Sequence, residues 1–542
     1  MTSAADGDYV TLYDTTLRDG AQTQGVDFSV SDKIAIAEAL DALGIDYVEG
    51  GWPGANPTDD AFFANPPALK TAKLFAFGMT RRGGRSTAND PGLNAVIDAE
   101  VDGACLVGKT WDFHVKTALN TTLEENLEMI RDSLAAAKQR GREPMFDCEH
   151  FFDGYKNNPE FALDCVRAAH AGGASWVVLC DTNGGTLPDA VFEIVQTVKT
   201  TLPEVNLGIH CHNDSGVAVA NSLAAIAAGA RQVQGTINGI GERCGNADLI
   251  SLIPTLVLKS DYVTSVAEAN LPKLMGLSRL LDERLGRTPN AQAPYVGAAA
   301  FAHKGGLHAS AAQKDPRTYE HVPPEKVGNE RQYLVSDQAG KSNMLARFDM
   351  LGIEIDAKDE RIDTLISVVK EKEFEGWAFD SAEASFELLA RRMLDDVPDY
   401  FRIGRFRVMD ERRFNARGEL VVESEATATI FVGDNSFHEA AVGNGPVNAV
   451  DTAMRKALVA AYPTLADVEL VDYKVRILDA VDGQVGTGAI TRVFIEFCVP
   501  DGTVWRTVGL STNIIDASVA ALGDGMIWKL LHDKVAGPKS TR

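Results

Sequence analysis

The sequence has no long hydrophobic run. Nothing approaches the ~20 consecutive apolar residues that cross a bilayer as a helix, and Met1 to Tyr9 lacks the basic and apolar regions of a signal peptide. A cytoplasmic protein without a membrane partner is expected. Cysteine is sparse: Cys105, Cys148, Cys165, Cys180, Cys211, Cys244 and Cys498 are an odd seven with no Cys-x-x-Cys pair, which argues against a disulfide framework or a structural zinc knuckle. Basic residues are outnumbered, 52 Lys and Arg against 76 Asp and Glu, and no long cationic cluster interrupts the net charge of -24. A nucleic-acid surface would have to be built against that field, so nucleic acid is not an expected partner. Small anionic substrates remain open, because a metal and one or two arginines set the potential inside a pocket. Also missing are a Gly-x-Gly-x-x-Gly turn after the first strand pattern and a Walker lysine, which removes the common nucleotide-binding motifs.

What is present is ample apolar sequence for several cores. At 542 residues the chain is too long for one, and ~150 residues per domain suggests roughly three or four units. From Tyr9 to about Ser260, eight short apolar strands (Val10 to Tyr13, Tyr47 to Gly50, Leu74 to Gly78, Ala104 to Val107, Met145 to Cys148, Trp176 to Cys180, Leu207 to His212, Gln232 to Thr236) alternate with amphipathic helices such as Ser31 to Leu43 and Pro159 to Ala171. Such alternation forces a parallel sheet with right-handed crossovers. Polar, chemically loaded residues recur just after nearly every strand, which favours a TIM barrel with one active face over an open doubly wound sheet. Residues 1–275 are therefore expected to form the barrel. Residues 276–398 read as a helical linker, interrupted at Ala302 to Gly328 by a polar, glycine-bearing stretch without persistent periodicity, the mark of a functional loop or a linker. Residues 399–542 return to strands with two helices. Asn448-Ala-Val-Asp451 and Asn513-Ile-Ile-Asp516, each read as preceding a helix, suggest an internal ββα duplication in a small α+β domain for binding or assembly.

The chemistry centres on Leu207 to Asp214, LGIHCHND. Strand geometry puts His210 and His212 on one face, where two imidazoles either share a metal or form a hydrogen-bonded core pair. At the end of the first strand, Asp19 offers a hard oxygen ligand and Arg18 a permanent charge, although Arg-Asp-Gly alone is as readily an ion pair closing a turn. Together with the two histidines, Asp19 completes a two-imidazole, one-carboxylate set with open coordination positions. After the eighth strand, the glycine-rich Gly235 to Asn246 loop could bring the Asn246 oxygen to the metal. Glu149, ending strand five, suits acid/base work, and Thr182, after strand six, suits a hydrogen bond to a substrate carboxylate; a structural hydrogen bond is the commoner fate of either alone. Cys148 and His150 alternate with these and would face away. In Phe301 to Ser310, two histidines beside two glycines suit a lid carrying His308, or else a solvated linker.

Leu17-Arg-Asp-Gly20, His210-Cys-His-Asn-Asp214 and Asn238-Gly-Ile-Gly-Glu-Arg-Cys-Gly-Asn246 together resemble the DRE-TIM metallolyase superfamily, and the last motif with the Phe301 to Ser310 arm is similar to its 2-isopropylmalate, homocitrate and citramalate synthase branch. Glu49-Gly-Gly-Trp-Pro-Gly54 and Gly108-Lys-Thr-Trp-Asp-Phe-His114 look like the citramalate synthase subgroup. Ala21 departs from the Glu usual in isopropylmalate synthases, and Asp147 departs from the aromatic that some citramalate synthases place in the pyruvate pocket.

The resemblance implies a divalent metal on Asp19, His210 and His212 with Asn246 near it, magnesium or manganese first, with cobalt or zinc accepted by the same donors. It implies acetyl-CoA and pyruvate as substrates, and Arg18, Glu149, His308 and Tyr319 as catalytic residues, with Arg18 and Thr182 holding substrate. It also implies a C-terminal regulatory domain binding an amino acid, isoleucine first and leucine second, through turns at Val442 to Pro446 and Gly486 to Ile490, in a homodimer whose arms reach the partner's barrel. Isopropylmalate or homocitrate synthase activity, a metal-dependent aldolase or lyase, and a non-catalytic amino-acid sensor are the alternatives.

Overall fold

The computed structural model describes residues 9–335, 340–478 and 489–538. They fall into two compact units, residues 9–301 with 321–331, and residues 302–320 with the described residues from 332 onward.

In the first unit, β1 (Thr11–Asp14), β2 (Tyr47–Gly51), β3 (Lys73–Met79), β4 (Gly103–Lys109), β5 (Glu143–Glu149), β6 (Trp176–Asp181), β7 (Leu207–Cys211) and β8 (Gln232–Gly235) pair in parallel and in order. The barrel closes where β1 pairs β8, Thr11 opposite Gln232 and Asp14 opposite Gly235. Strand alternation divides the side chains into two layers. Tyr13, Tyr47, Phe75, Phe77, Cys105, Met145, Val178 and Cys180 form one buried cluster inside, while Leu12, Val48, Leu74, Leu106, Phe146 and Ile209 join the helices in a larger core. Local signals set the helix ends. Ser29 and Asp32 make a capping box for Val30–Leu43, which Gly44 ends in the left-handed conformation, and Asn158 caps Pro159–Ala171 with proline in its first turn. Among the described residues no helix is long and apolar enough to cross a membrane, and all seven cysteines are free.

The second unit corrects one expectation. Ala302 to Gly328 is not without structure: β9 (Ala302–His303) pairs in parallel with β10 (Gln332–Tyr333), and Gly306–Lys314 is a helix. Its buried positions, Ala309 and Ala312, are small, while Leu307 points to solvent, so an amphipathic pattern built on large residues never appears. After helices Lys341–Met350, Glu360–Glu375 and Glu383–Met393 come two antiparallel sheets, β11 (Arg402–Phe414), β12 (Leu420–Val432) and β13 (Asn435–Gly443), then β14 (Glu469–Ile477), β15 (Thr491–Cys498) and β16 (Val504–Ser511).

Helix Pro446–Val459 covers the first sheet and Ile514–His532 the second, so the repeat is βββα rather than ββα. The strand missing from the sequence reading, β13, is an edge strand with only Ala441 buried, which leaves little apolar alternation to see. The two Asn-x-x-Asp stretches are not equivalent caps either. Asn513 accepts from the N–H groups of Ile515 and Asp516 as an N-cap, whereas Asn448 lies inside its helix. Between the second sheet and its helix, Trp505 of β16 stacks with Phe497 and Trp528 and donates its indole N–H to the Gly525 carbonyl. Of the two turns expected to meet an amino acid, Val442 to Pro446 is described, and Gly486 to Gly488 of the other lie outside the described residues.

Candidate metal centre and active-site cleft

Past β1 the chain turns tightly, and the Thr15 carbonyl accepts the N–H groups of Arg18, Asp19 and Gly20. This turn projects Arg18 and Asp19 over the C-terminal mouth of the barrel, where β7 delivers His210 from its last paired positions and His212 just beyond. His210 Nε2 lies 3.3 Å and His212 Nε2 3.8 Å from Asp19 Oδ2. One ligand atom from each residue falls within 4.8 Å of the others, and all three side chains are buried. Asp19 Oδ1, His212 Nδ1 and Asn246 Oδ1 are buried without any hydrogen-bond partner. Buried polar atoms left unpaired are costly, so this carboxylate, imidazole and amide set fits a divalent cation that would satisfy it.

Asn246 reaches the site because its loop is glycine-rich. It bridges His212 in antiparallel fashion and donates Nδ2 to the Ile240 carbonyl. Gly241 has φ +155°, and a Cβ there would lie 2.1 Å from Asn246 Nδ2, while one on Gly245 would lie 1.9 Å from the Gly239 carbonyl oxygen. Only glycine lets the loop close on itself. Arg243 then ties it to the β7 loop, with two nitrogens 2.8 and 3.0 Å from the Asp214 carboxylate and a third bond to the Thr182 carbonyl.

The charges are mutually set. Burial pushes the Asp19 carboxyl up, but the Arg18 guanidinium and the hydrogen bond from His210 outweigh it and hold the group well below the usual carboxylate range. Burial, with the neighbouring His210, drops His212 to about 4, so this ring is neutral and able to ligate at neutral pH. Arg18 is anchored by its Nε to Glu49 Oε2 at 2.6 Å, and its guanidinium lies 3.8 Å from the centre of the Phe77 ring. Glu49, fully buried, also accepts from the Tyr13 hydroxyl at 2.9 Å. Behind His210, Nδ1 is 2.8 Å from Gln234 Oε1, and Gln234 Nε2 donates to Asp147 Oδ1 at 3.1 Å. The amide fixes the tautomer, leaving the Nε2 lone pair for a metal. Replacing Gln234 with Leu should therefore weaken metal affinity by ~10- to 100-fold, read by competition against a chromogenic chelator. Unchanged affinity would mean that this relay holds nothing in place.

A cleft of about 240 Å³ joins these groups to Glu149 and Thr182 and is walled by Trp52, Phe77, Met79 and Val107. Glu149 is ion-paired with Lys109. Thr182 Oγ1 accepts the His150 N–H at 2.8 Å, which leaves its own hydroxyl hydrogen to donate. His150 is left-handed, φ 57°, and packs edge-on against His114, itself stacked on Trp111, while Cys148 is buried in the outer core. Both thus face away from the cleft as expected. His308 and Tyr319 belong to the second unit, where their rings stack with centroids 4.2 Å apart. Sequence reasoning missed Gln234, Lys109 and the anchoring role of Glu49. The signal for Gln234 was available: Gln232-Val-Gln234 alternates polar and apolar residues in a strand buried on both faces.

Three family models tile the chain: HMGL-like over residues 9–281, the homocitrate synthase post-HMGL domain-like model over 295–375, and the LeuA allosteric (dimerisation) domain over 380–528. An (R)-citramalate synthase of Aquifex aeolicus is 51% identical over 97% of this chain and 99% of its own length, and one of Geobacter sulfurreducens is 50% identical over 98% and 99%. A probable 2-isopropylmalate synthase of Methanopyrus kandleri is 33% identical over 96% and 98%. With a closed barrel carrying a two-histidine, one-aspartate centre, and with identity of this level over its length, the chain belongs to the (R)-citramalate synthase family of acyltransferases.

Proposed function

We propose that this chain condenses the acetyl group of acetyl-CoA with pyruvate and hydrolyses the thioester, releasing (R)-citramalate and CoA. The observation that carries the reading is the convergence of Arg18, Asp19, His210 and His212 in one narrow cleft of a chain with this family membership. Asp19, His210 and His212, with Asn246 beside them, would hold a divalent cation, which would supply Lewis acidity toward a bound 2-oxo acid. Magnesium or manganese is our first assignment, and cobalt or zinc suits the same mixed donors. Arg18 stays charged at every working pH and holds the oxygen that becomes an alkoxide as the C–C bond forms. Thr182 donates to the substrate carboxylate. His308 takes the proton from the acetyl methyl group, with Tyr319 and Glu149 as partners in proton transfer.

The walls of Trp52, Phe77, Met79 and Val107 around so small a cleft favour a methyl ketone acid. Each extra methylene is worth ~1–3 kcal/mol, so kcat/KM should be highest with pyruvate, about tenfold lower with 2-oxobutanoate and lower still with 2-oxoisovalerate, in a thiol-release assay with acetyl-CoA. A higher value with 2-oxoisovalerate would replace this reading with isopropylmalate synthase activity, and no thiol release from any 2-oxo acid would leave the lyase or sensor.

We further assign residues 1–275 to the catalytic barrel, 276–398 to the linker with its arm and 399–542 to regulation, in a cytoplasmic homodimer whose arm, with His308 and Tyr319, serves the barrel of the second copy. The match to an allosteric and dimerisation domain supports an effector and a dimer, and isoleucine, with leucine second, fits an enzyme feeding isoleucine synthesis. Inhibition requires the ligand to favour one arrangement of the chain over another. Isoleucine should lower the turnover of the full chain and leave a chain ending after Asp395 unaffected. Equal inhibition of both in steady-state assays would refute the assignment.

A further inference from the structure

The second unit holds a larger cavity, about 920 Å³, that none of this chemistry uses. It lies where the outer face of β14 and β15 meets the end of helix Glu360–Glu375 and the turn after it, and its lining carries five cationic side chains against two carboxylates in a chain that is strongly acidic overall. In the strand register Arg476 stands directly opposite Arg492, with Lys474 opposite Phe494 on the same face. Like charges directly opposite on a sheet are destabilising unless something sits between or above them.

Arg492 is the better placed of the two. It donates Nη1 to the Gly376 carbonyl and lies 5.2 Å from the Phe494 ring centre, yet its Nε is buried with no hydrogen-bond partner. Burial and the neighbouring Arg476 charge both push its guanidinium down from the usual range, the condition that a bound anion relieves. Of the two acids, Asp380 accepts from Lys304, itself one of the five cations, at 2.7 Å, and Glu373 accepts the Phe379 N–H; both carboxylates also partly offset the push on Arg492. On the opposite wall, Trp377 stacks on Phe379, and Phe374 is 73% exposed.

We propose that this cavity binds a nucleoside polyphosphate, its phosphates between Arg476, Arg492 and Lys474 and its base against Trp377 and Phe374. Guanidiniums in a fork recognise phosphate oxygens in pairs, flat rings take up a base, and the volume is that of a nucleotide-sized pocket. Free ADP or ATP and the ADP moiety of CoA share this chemistry.

The test is calorimetric titration of the full chain with ADP, ATP, CoA and inorganic pyrophosphate, repeated on Arg476→Ser, whose side chain is exposed, and on Trp377→Phe. ADP should bind the parent chain with quenching of tryptophan emission, lose at least tenfold in affinity in Arg476→Ser, and lose the quench in Trp377→Phe, while turnover with acetyl-CoA and pyruvate is unchanged in Arg476→Ser. If CoA is the source, the parent binds a second equivalent of it that Arg476→Ser lacks; if free nucleotide is, ADP or ATP binds and no second CoA equivalent appears. The proposal falls if none of the nucleotides binds in an Arg476-dependent way, or if pyrophosphate binds as tightly as ADP, since the rings would then contribute nothing.

Discussion

Replacing His212 with Ala is expected to strip the divalent cation and lower turnover by roughly a thousandfold, because a Lewis acid worth several kcal/mol at the transition state, about 4, corresponds to three decades of rate. The site makes the loss specific. Asp19 and His210 are already in hydrogen-bond contact, so without the second imidazole the remaining pair closes on itself as an ion pair; burial opposes a charged His210 ring, but the Asp19 carboxylate beside it outweighs burial and favours the protonated ring over a neutral ligand. Removing one buried neutral ring opens a small polar gap at the barrel mouth and should leave the fold intact. Metal content by elemental analysis after dialysis, measured beside thermal unfolding, separates the two effects. A variant that keeps one metal per chain would show that His212 is not a ligand.

The second large effect is expected at Arg18. Arg18→Lys keeps the charge but loses the Nε bond to Glu49 and the planar face over Phe77, so the cation no longer sits where an alkoxide would form. Donors aimed at developing charge are worth ~10²- to 10³-fold in turnover. The fall should appear in kcat with KM for the 2-oxo acid changed far less. Arg18→Ala should additionally destabilise the fold by ~3–5 kcal/mol, because it leaves the buried Glu49 without its cation. Chemical denaturation of the two variants distinguishes these outcomes, and an Arg18→Lys enzyme within threefold of the parent kcat would remove Arg18 from the chemistry.

Much of this was legible in the chain because the physical signals are local. Eight strands could be placed to within a few residues since parallel barrel strands are buried on both faces and their helices carry capping residues such as Ser29 and Asn158. His210 and His212 declared a shared face by spacing alone. Where the signal was weak, the reading failed for an identifiable reason: helix Gly306–Lys314 buries alanines, and β13 is an exposed edge. Glu49 stood in view inside a glycine-rich motif, but nothing local says that a carboxylate at the end of β2 will meet an arginine 31 residues earlier.

The sequence by itself determined the layering of the barrel, the shared face of His210 and His212 and the strand-rich end of the chain, since each follows from periodicity, spacing and residue chemistry within a few positions. Tertiary structure alone decided which groups act together. Closure of β1 against β8 brings Asp19 to histidines some 190 residues away, the pairing of β8 beside β7 places Gln234 on His210, and the pairing of β14 with β15 sets Arg476 against Arg492. These are contacts between strands, fixed by how the backbone hydrogen bonds register, and register depends on burying whole faces at once rather than on any residue's immediate neighbours.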